Sequence, residues 1–178
     1  PMRIAHVSDC YLPRLCGIER QVNDLAVRQQ AAGHDVEVIT SVGGDSDGEP
    51  FRVHRPASRG DVGSIRYART WRGLAALRDG EFDVVHVHMS TCSPLAFLAA
   101  RSACRSAVPV AATVHSMWAY ASGLFRVSAV ASGWRHWPIA WSAVSEAASR
   151  PVRAALGGTP VAIVPNGVAA DRWLLPEA

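Results

Sequence analysis

Three histidines stand where an α/β sheet would bring them to a ligand. His86 and His88 lie two residues apart in Asp83-Val-Val-His-Val-His88. Strand alternation turns both to one face, with His88 at the carboxyl end. His115 closes a second apolar run, Val108 to His115, ahead of Ser116 and Trp118. Near neutral pH an imidazole can donate or accept a hydrogen bond, move a proton or bind a metal. A zinc site would need a further ligand, and no carboxylate or cysteine at a suitable spacing supplies one, so no metal is expected. A second chemical signal is the stretch Asp9 to Arg20, where a loop ends in Gly17 and a helix begins. A helix start exposes unpaired N–H groups and a positive dipole end, which suits a phosphate. Gly17 lets a ligand come close to the backbone. The spacing is not GxGxxG, so the dinucleotide fingerprint is absent.

These residues need a frame, and the chain alternates short β-type runs with amphipathic segments. Strands are expected at Arg3–Ser8, Asp35–Thr40, Phe51–His54, Asp83–His88, Val108–His115, Ile139–Val144 and Val161–Val164. Between them, helices are expected over Gly17–Ala32, Ser64–Arg78, Pro94–Ser106, Met117 to about His136, and Glu146–Leu156. Gly33 stops the first helix and Pro94 opens the third, as cap chemistry prefers. Regular alternation of this kind predicts an α/β fold with a doubly wound, Rossmann-like parallel sheet of about seven strands. Such strands are buried on both faces, which accounts for apolar runs such as Val84-Val85. Ligands then sit beyond the carboxyl ends of the strands, and that is where His88 and His115 fall.

Composition narrows the class. The chain has 178 residues, enough for one domain with a sizeable core. Its 18 basic residues are all arginine, and with the many Ala, Val and Gly this reads as a GC-rich, bacterial genome. The net charge of +3 permits an anionic partner without demanding one, and no nucleic-acid partner is expected. No apolar run approaches the roughly 18 residues of a membrane span, and the first, Ile4–Val7, is too short for a secretory signal. Cys10, Cys16, Cys92 and Cys104 form no CxxC pair and read as free thiols of a cytoplasmic protein.

Set in order, six elements resemble the family 4 retaining glycosyltransferases of the GT-B type. They are Cys16-Gly-Ile-Glu19 opening the first helix, Gly33-His-Asp-Val-Glu-Val-Ile-Thr40, Asp83–His88, Thr113-Val-His115, Ser145-Glu146, and Ile163-Val-Pro-Asn-Gly-Val168. The resemblance covers nearly the whole chain. It implies an acceptor-side domain over residues 2–165, with a hinge beginning at 166–178 through Asn166 and Gly167. It implies that the loop at Cys16, Gly17 and Ile18 approaches the diphosphate of a UDP- or GDP-sugar, with no metal required. His115 would stand at the reaction centre, and Asp9, Tyr11, Glu19, His88, Ser116, Trp118 and Ser145 around a carbohydrate, lipid or small-molecule acceptor. The donor would be gripped mainly by a second domain, and without it the chain is expected to be inactive. Retention of configuration in such enzymes needs positioning and stabilisation of the leaving diphosphate more than protein acids or bases.

Two departures stand out: Cys16 replaces the first glycine of a usual pair, and the hinge aspartate comes late, at Asp171. Arg66, Arg69 and Arg72, with Trp71, make a basic stripe on the expected second helix. That stripe reads either as a solvated face or as peripheral contact with an anionic membrane. Two other functions compete with sugar transfer. One is a metal hydrolase using His86, His88 and His115; the other is a non-catalytic sugar- or membrane-binding module, to which Cys16 lends support.

Overall fold

A computed structural model describes residues 1–13, 17–44, 48–55, 74–117 and 122–168. The strands are β1 (Arg3–Ser8), β2 (Asp35–Thr40), β3 (Arg52–His54), β4 (Val84–Met89), β5 (Val110–Val114), β6 (Ile139–Ala143) and β7 (Val161–Ile163). They form one seven-stranded sheet in the order β3-β2-β1-β4-β5-β6-β7, and every neighbouring pair is parallel. The strand order reverses between β1 and β4, the switch point at which open α/β sheets leave a crevice. This is a Rossmann-like fold, consistent with the N-terminal half of a GT-B fold.

The helices are α1 (Gly17–Ala31), α2 (Pro94–Arg105), α3 (Ser122–Ala131) and α4 (Glu146–Leu156); residues 74–79 are also helical. α2, α3, α4 and Leu77 cover one face of the sheet. There Val85, Val87, Val110, Ala112, Val114, Trp141 and Ala143 pack with Leu95, Ala99, Trp134 and Val152 in the larger core. The other face carries a smaller core in which Val22 and Ala26 of α1 pack on Ile4, Val36 and Val38. α1 stops short of the far strands. Thr113 and Ser142 share this second face by register with Ala162, and Ala162 and Ala140 are exposed. Parallel sheets are ordinarily covered on both faces, and among the described residues no helix covers Ala140 and Ala162.

One expected helix is shorter than its pattern. The apolar stretch from Met117 to His136 contains α3 only as far as Ala131; Gly133 then takes φ +68° and a single 3-10 turn, Trp134–His136, turns the chain into β6. Gly133 adopts the left-handed conformation at no steric cost and so ends the helix there. α3 leaves Leu124, Val127 and Val130 exposed along one side. Among the described residues no helix is long and apolar enough to cross a membrane.

Candidate functional site

Parallel register builds the site. His6 on β1 lies beside His86 on β4, and Ser8 beside His88; His88 in turn lies beside Thr113 on β5. Neighbours in register point to the same face, so the α1 side of the sheet collects His6, His86, His88 and Thr113, with His115 just beyond β5. The rings cluster: His6, His86 and His88 form a triangle of tilted rings with centroids 5.3, 5.2 and 4.2 Å apart, and His115 lies 5.3 Å from His88.

Hydrogen bonds join them into two chains. In the first, Gln29 Oε1 of α1 lies 2.6 Å from His6 Nε2. His6 Nδ1 lies 3.0 Å from His88 Nε2, and His88 Nδ1 lies 3.1 Å from His115 Nε2. The chain ends at His115 Nδ1, which is buried and has no hydrogen-bond partner among the described residues. In the second, His86 Nε2 lies 2.8 Å from Thr113 Oγ1, and Thr113 Oγ1 lies 2.8 Å from Ser142 Oγ, which donates to the Ala112 carbonyl. Burial holds all four imidazoles neutral at pH 7. His6 is pushed down to about 4 against the opposing bond to Gln29, and His115 to about 4 by burial. His86 falls to about 3 through burial and then the charges of His6 and His115, and His88 falls well below the ordinary range for the same reasons.

The expected acceptor residues fall into different roles. Both carboxylate oxygens of Asp9 accept from the start of α2, from Leu95 N at 3.1 Å and Ala96 N at 3.0 Å. Ser93, at the N-cap itself, makes no capping bond of its own, so Asp9 serves as a cap supplied from the end of β1. Tyr11 is wholly buried. Its hydroxyl donates to Asn23 Oδ1 at 2.8 Å, the Arg55 guanidinium lies over its ring, and burial raises its pKa. Ser145 caps α4 by accepting from Ala148 N at 3.2 Å. His88 lies beneath His115 rather than at the open edge, 2% exposed and bonded through both ring nitrogens. Glu19, in the first turn of α1, is buried with one carboxylate oxygen unpartnered among the described residues. Gly17 opens α1, and a Cβ added there would meet none of the described residues within 4 Å. Ile18 is half-buried against the smaller core, Ser116 is half-buried, and Asn166 and Gly167 are exposed. Cys16, Trp118, Arg66, Arg69, Trp71 and Arg72 lie outside the described residues.

Sequence reasoning missed His6, Gln29, Thr113 and Ser142. Gln29 lies on the sheet-facing side of α1 by spacing, and His6 shares the alternation of β1, but only strand order makes β1 and β4 neighbours. A third imidazole also does approach the pair on β4. His6, His86 and His88 bring ring nitrogens within 4.8 Å of one another. The 3.0 Å between His6 Nδ1 and His88 Nε2 is a hydrogen-bond distance. Two nitrogens on a tetrahedral zinc, each about 2.0–2.1 Å from the ion, would stand about 3.3 Å apart. Beside the carboxyl end of β4, a cavity of about 340 Å³ is floored by Met89, Phe97, Phe125, Trp134 and Trp141 and rimmed by Ser90, Ser93 and Ser128.

The family described as Glycosyltransferase Family 4 matches residues 16–172. No curated protein gives a significant match.

Proposed function

Because the chain belongs to glycosyltransferase family 4, we propose that it is the acceptor-side domain of a retaining GT-B enzyme that moves a sugar from a UDP- or GDP-sugar to an acceptor hydroxyl. The observation that carries this reading is His115. It stands at the carboxyl end of β5, near the switch point, with one ring nitrogen bonded to His88 and the other buried without a partner among the described residues. An unpaired polar atom in a buried place costs about 1–3 kcal/mol, and such a cost is found where a ligand is to be met.

The chemistry asked of the domain is positioning. A histidine pushed down to about 4 is a weak base at neutral pH, so His115 orients a hydroxyl and does not carry its proton away. The bond from the anomeric carbon to the donor diphosphate breaks and the bond to the acceptor oxygen forms on the same face. The acceptor proton passes to the departing phosphate oxygen. The open space at Gly17, with the N-terminal N–H groups of α1, lets the diphosphate approach. The cavity by β4, apolar with a hydroxyl rim, is walled from the α2–α4 side of the sheet and has no histidine in its lining; it would take an apolar portion of the acceptor, as in a lipid or aryl glycoside. A second domain after the hinge at Asn166 and Gly167 would hold most of the nucleotide sugar, and this domain alone would not turn over. Arg66, Arg69 and Arg72 would bring the enzyme to an anionic membrane from the cytoplasmic side.

The test is release of nucleoside diphosphate by the two-domain enzyme, with a panel of nucleotide sugars, with and without lipid extract. His115→Ala should lower the rate by about a hundredfold or more while the protein stays folded. A well-folded enzyme that releases no diphosphate from any donor would instead point to a binding module.

A further inference from the structure

The chain Gln29–His6–His88–His115 has a direction, and donor and acceptor bookkeeping reveals it. Each neutral imidazole carries one N–H and one lone pair. Gln29 Oε1 can only accept, so His6 Nε2 donates to it. His6 Nδ1 is then a lone pair, and His88 Nε2 must donate to it. His88 Nδ1 is in turn a lone pair, and His115 Nε2 must donate. One nitrogen is left over, His115 Nδ1, and it is bare. We propose that Gln29 and His6 are positioning residues. Through His88 they hold His115 with its proton on Nε2, so that its Nδ1 takes a hydroxyl hydrogen and not a phosphate oxygen.

Two considerations support this direction, and a second chain fixes the tautomer of His86. His6 is fully shut off from water and His88 nearly so, which leaves protein groups as the partners that settle their tautomers. The neighbouring chain runs independently to a backbone carbonyl, which cannot reverse. Ser142 donates to Ala112 O, Thr113 donates to Ser142, and His86 Nε2 donates to Thr113. All four rings therefore share one tautomer, with the proton on Nε2. The reverse direction would leave a buried N–H unpaired at His115, and orphaned buried donors are rarer than orphaned acceptors. The tautomer itself is independent of sugar transfer. Its catalytic consequence rests on the transferase reading, and through it the substrate group that His115 meets is a hydroxyl of the acceptor or of the sugar.

Long-range proton–nitrogen correlation spectra of this chain, with its histidines labelled with heavy nitrogen, read the tautomers directly. At neutral pH the expected result is an unprotonated Nδ1 in His6, His86, His88 and His115 alike. Gln29→Met removes the anchoring acceptor and should spread the His115 proton over both nitrogens. Gln30→Met, one position along α1, should leave the pattern unchanged. A protonated Nδ1 on His115 in the unmodified chain overturns the proposal. So does a pattern that depends on added zinc or chelator with one equivalent of metal bound, because His6 and His88 would then both turn lone pairs to the ion. An unaltered pattern in a folded Gln29→Met chain overturns it as well, and if that variant does not fold, the spectrum of the unmodified chain decides. In the two-domain enzyme, Gln29→Met should lower kcat by about tenfold with KM unchanged. No change in kcat would end the positioning role while leaving the transfer reading, which His115→Ala tests, untouched.

Discussion

The two faces of this sheet solve burial in different ways. On the α2–α4 face, alternate strand residues are apolar and their stability comes from area and packing: Val85, Val87, Val114 and Trp141 meet Leu95 and Trp134. On the α1 face the same strands carry His6, His86, His88 and Thr113, and burial is tolerable there because ring nitrogens and hydroxyls pair with one another. The apolar face tolerates neighbours of the right size. The histidine face needs each partner in place, since removing one strands another. The first is a scaffold that also walls the cavity by β4; the second ends in His115 Nδ1, unpaired among the described residues, and holds the histidine chemistry.

Acid should separate the faces most strongly. The folded values of His6 and His115, about 4, and of His86, about 3, lie below the unfolded value near 6.5. The unfolded chain therefore binds more protons than the folded one between those values. Stability is complete above about pH 6.5 and is lost as pH falls towards 4, at up to about 1.4 kcal/mol per pH unit for each histidine. The loss should total several kcal/mol in urea unfolding series. Leu95→Ala, on the apolar face, should shift these curves down without changing their slope, whereas His88→Phe should flatten them. Equal slopes in all three proteins would mean that the histidines do not titrate as a buried set.

Within the apolar face, Trp134→Ala should cost about 3–5 kcal/mol, because the side chain is 2% exposed and packs on Phe97 and Trp141. His88→Ala should cost about 2–4 kcal/mol, mainly by leaving His6 Nδ1 and His115 Nε2 unpaired. A cost below about 1 kcal/mol by urea denaturation would show that water or a rotated ring replaces His88. Asp9→Ala should cost about 1–2 kcal/mol through the lost cap on α2, readable as a small drop in Tm. Least of all, Ala140→Ser, at an exposed position on the histidine face, should stay within about 0.5 kcal/mol.

Much of the fold was legible in local pattern. Six of the seven strands lie within the ranges their apolar runs suggested or match them, and β4 extends one residue further, to Met89. The helix over 117–136 was overread, because its apolar content hid the break that Gly133 makes. At the site, His88 and His115 were visible as strand-end histidines, and the family elements stood in order. Asp9, Tyr11 and Ser145 were legible as polar residues near the edge, but not as a cap on α2, a buried hydroxyl bonded to Asn23, and a cap on α4. Their partners lie on other elements or depend on where an element begins.

Alternation, apolar runs and turn residues act over a few positions, so the amino-acid sequence determined the elements, the parallel class and the set of histidines available for chemistry. Strand order and register are long-range. They put His6 beside His86, His88 beside Thr113, and Gln29 of α1 over His6. The direction of the hydrogen-bond chain, the loss of charge from its rings and the unpaired nitrogen at its end follow from those neighbours and from exclusion of water. Both are properties of the packed sheet and helix, and neither exists in any single segment of the chain.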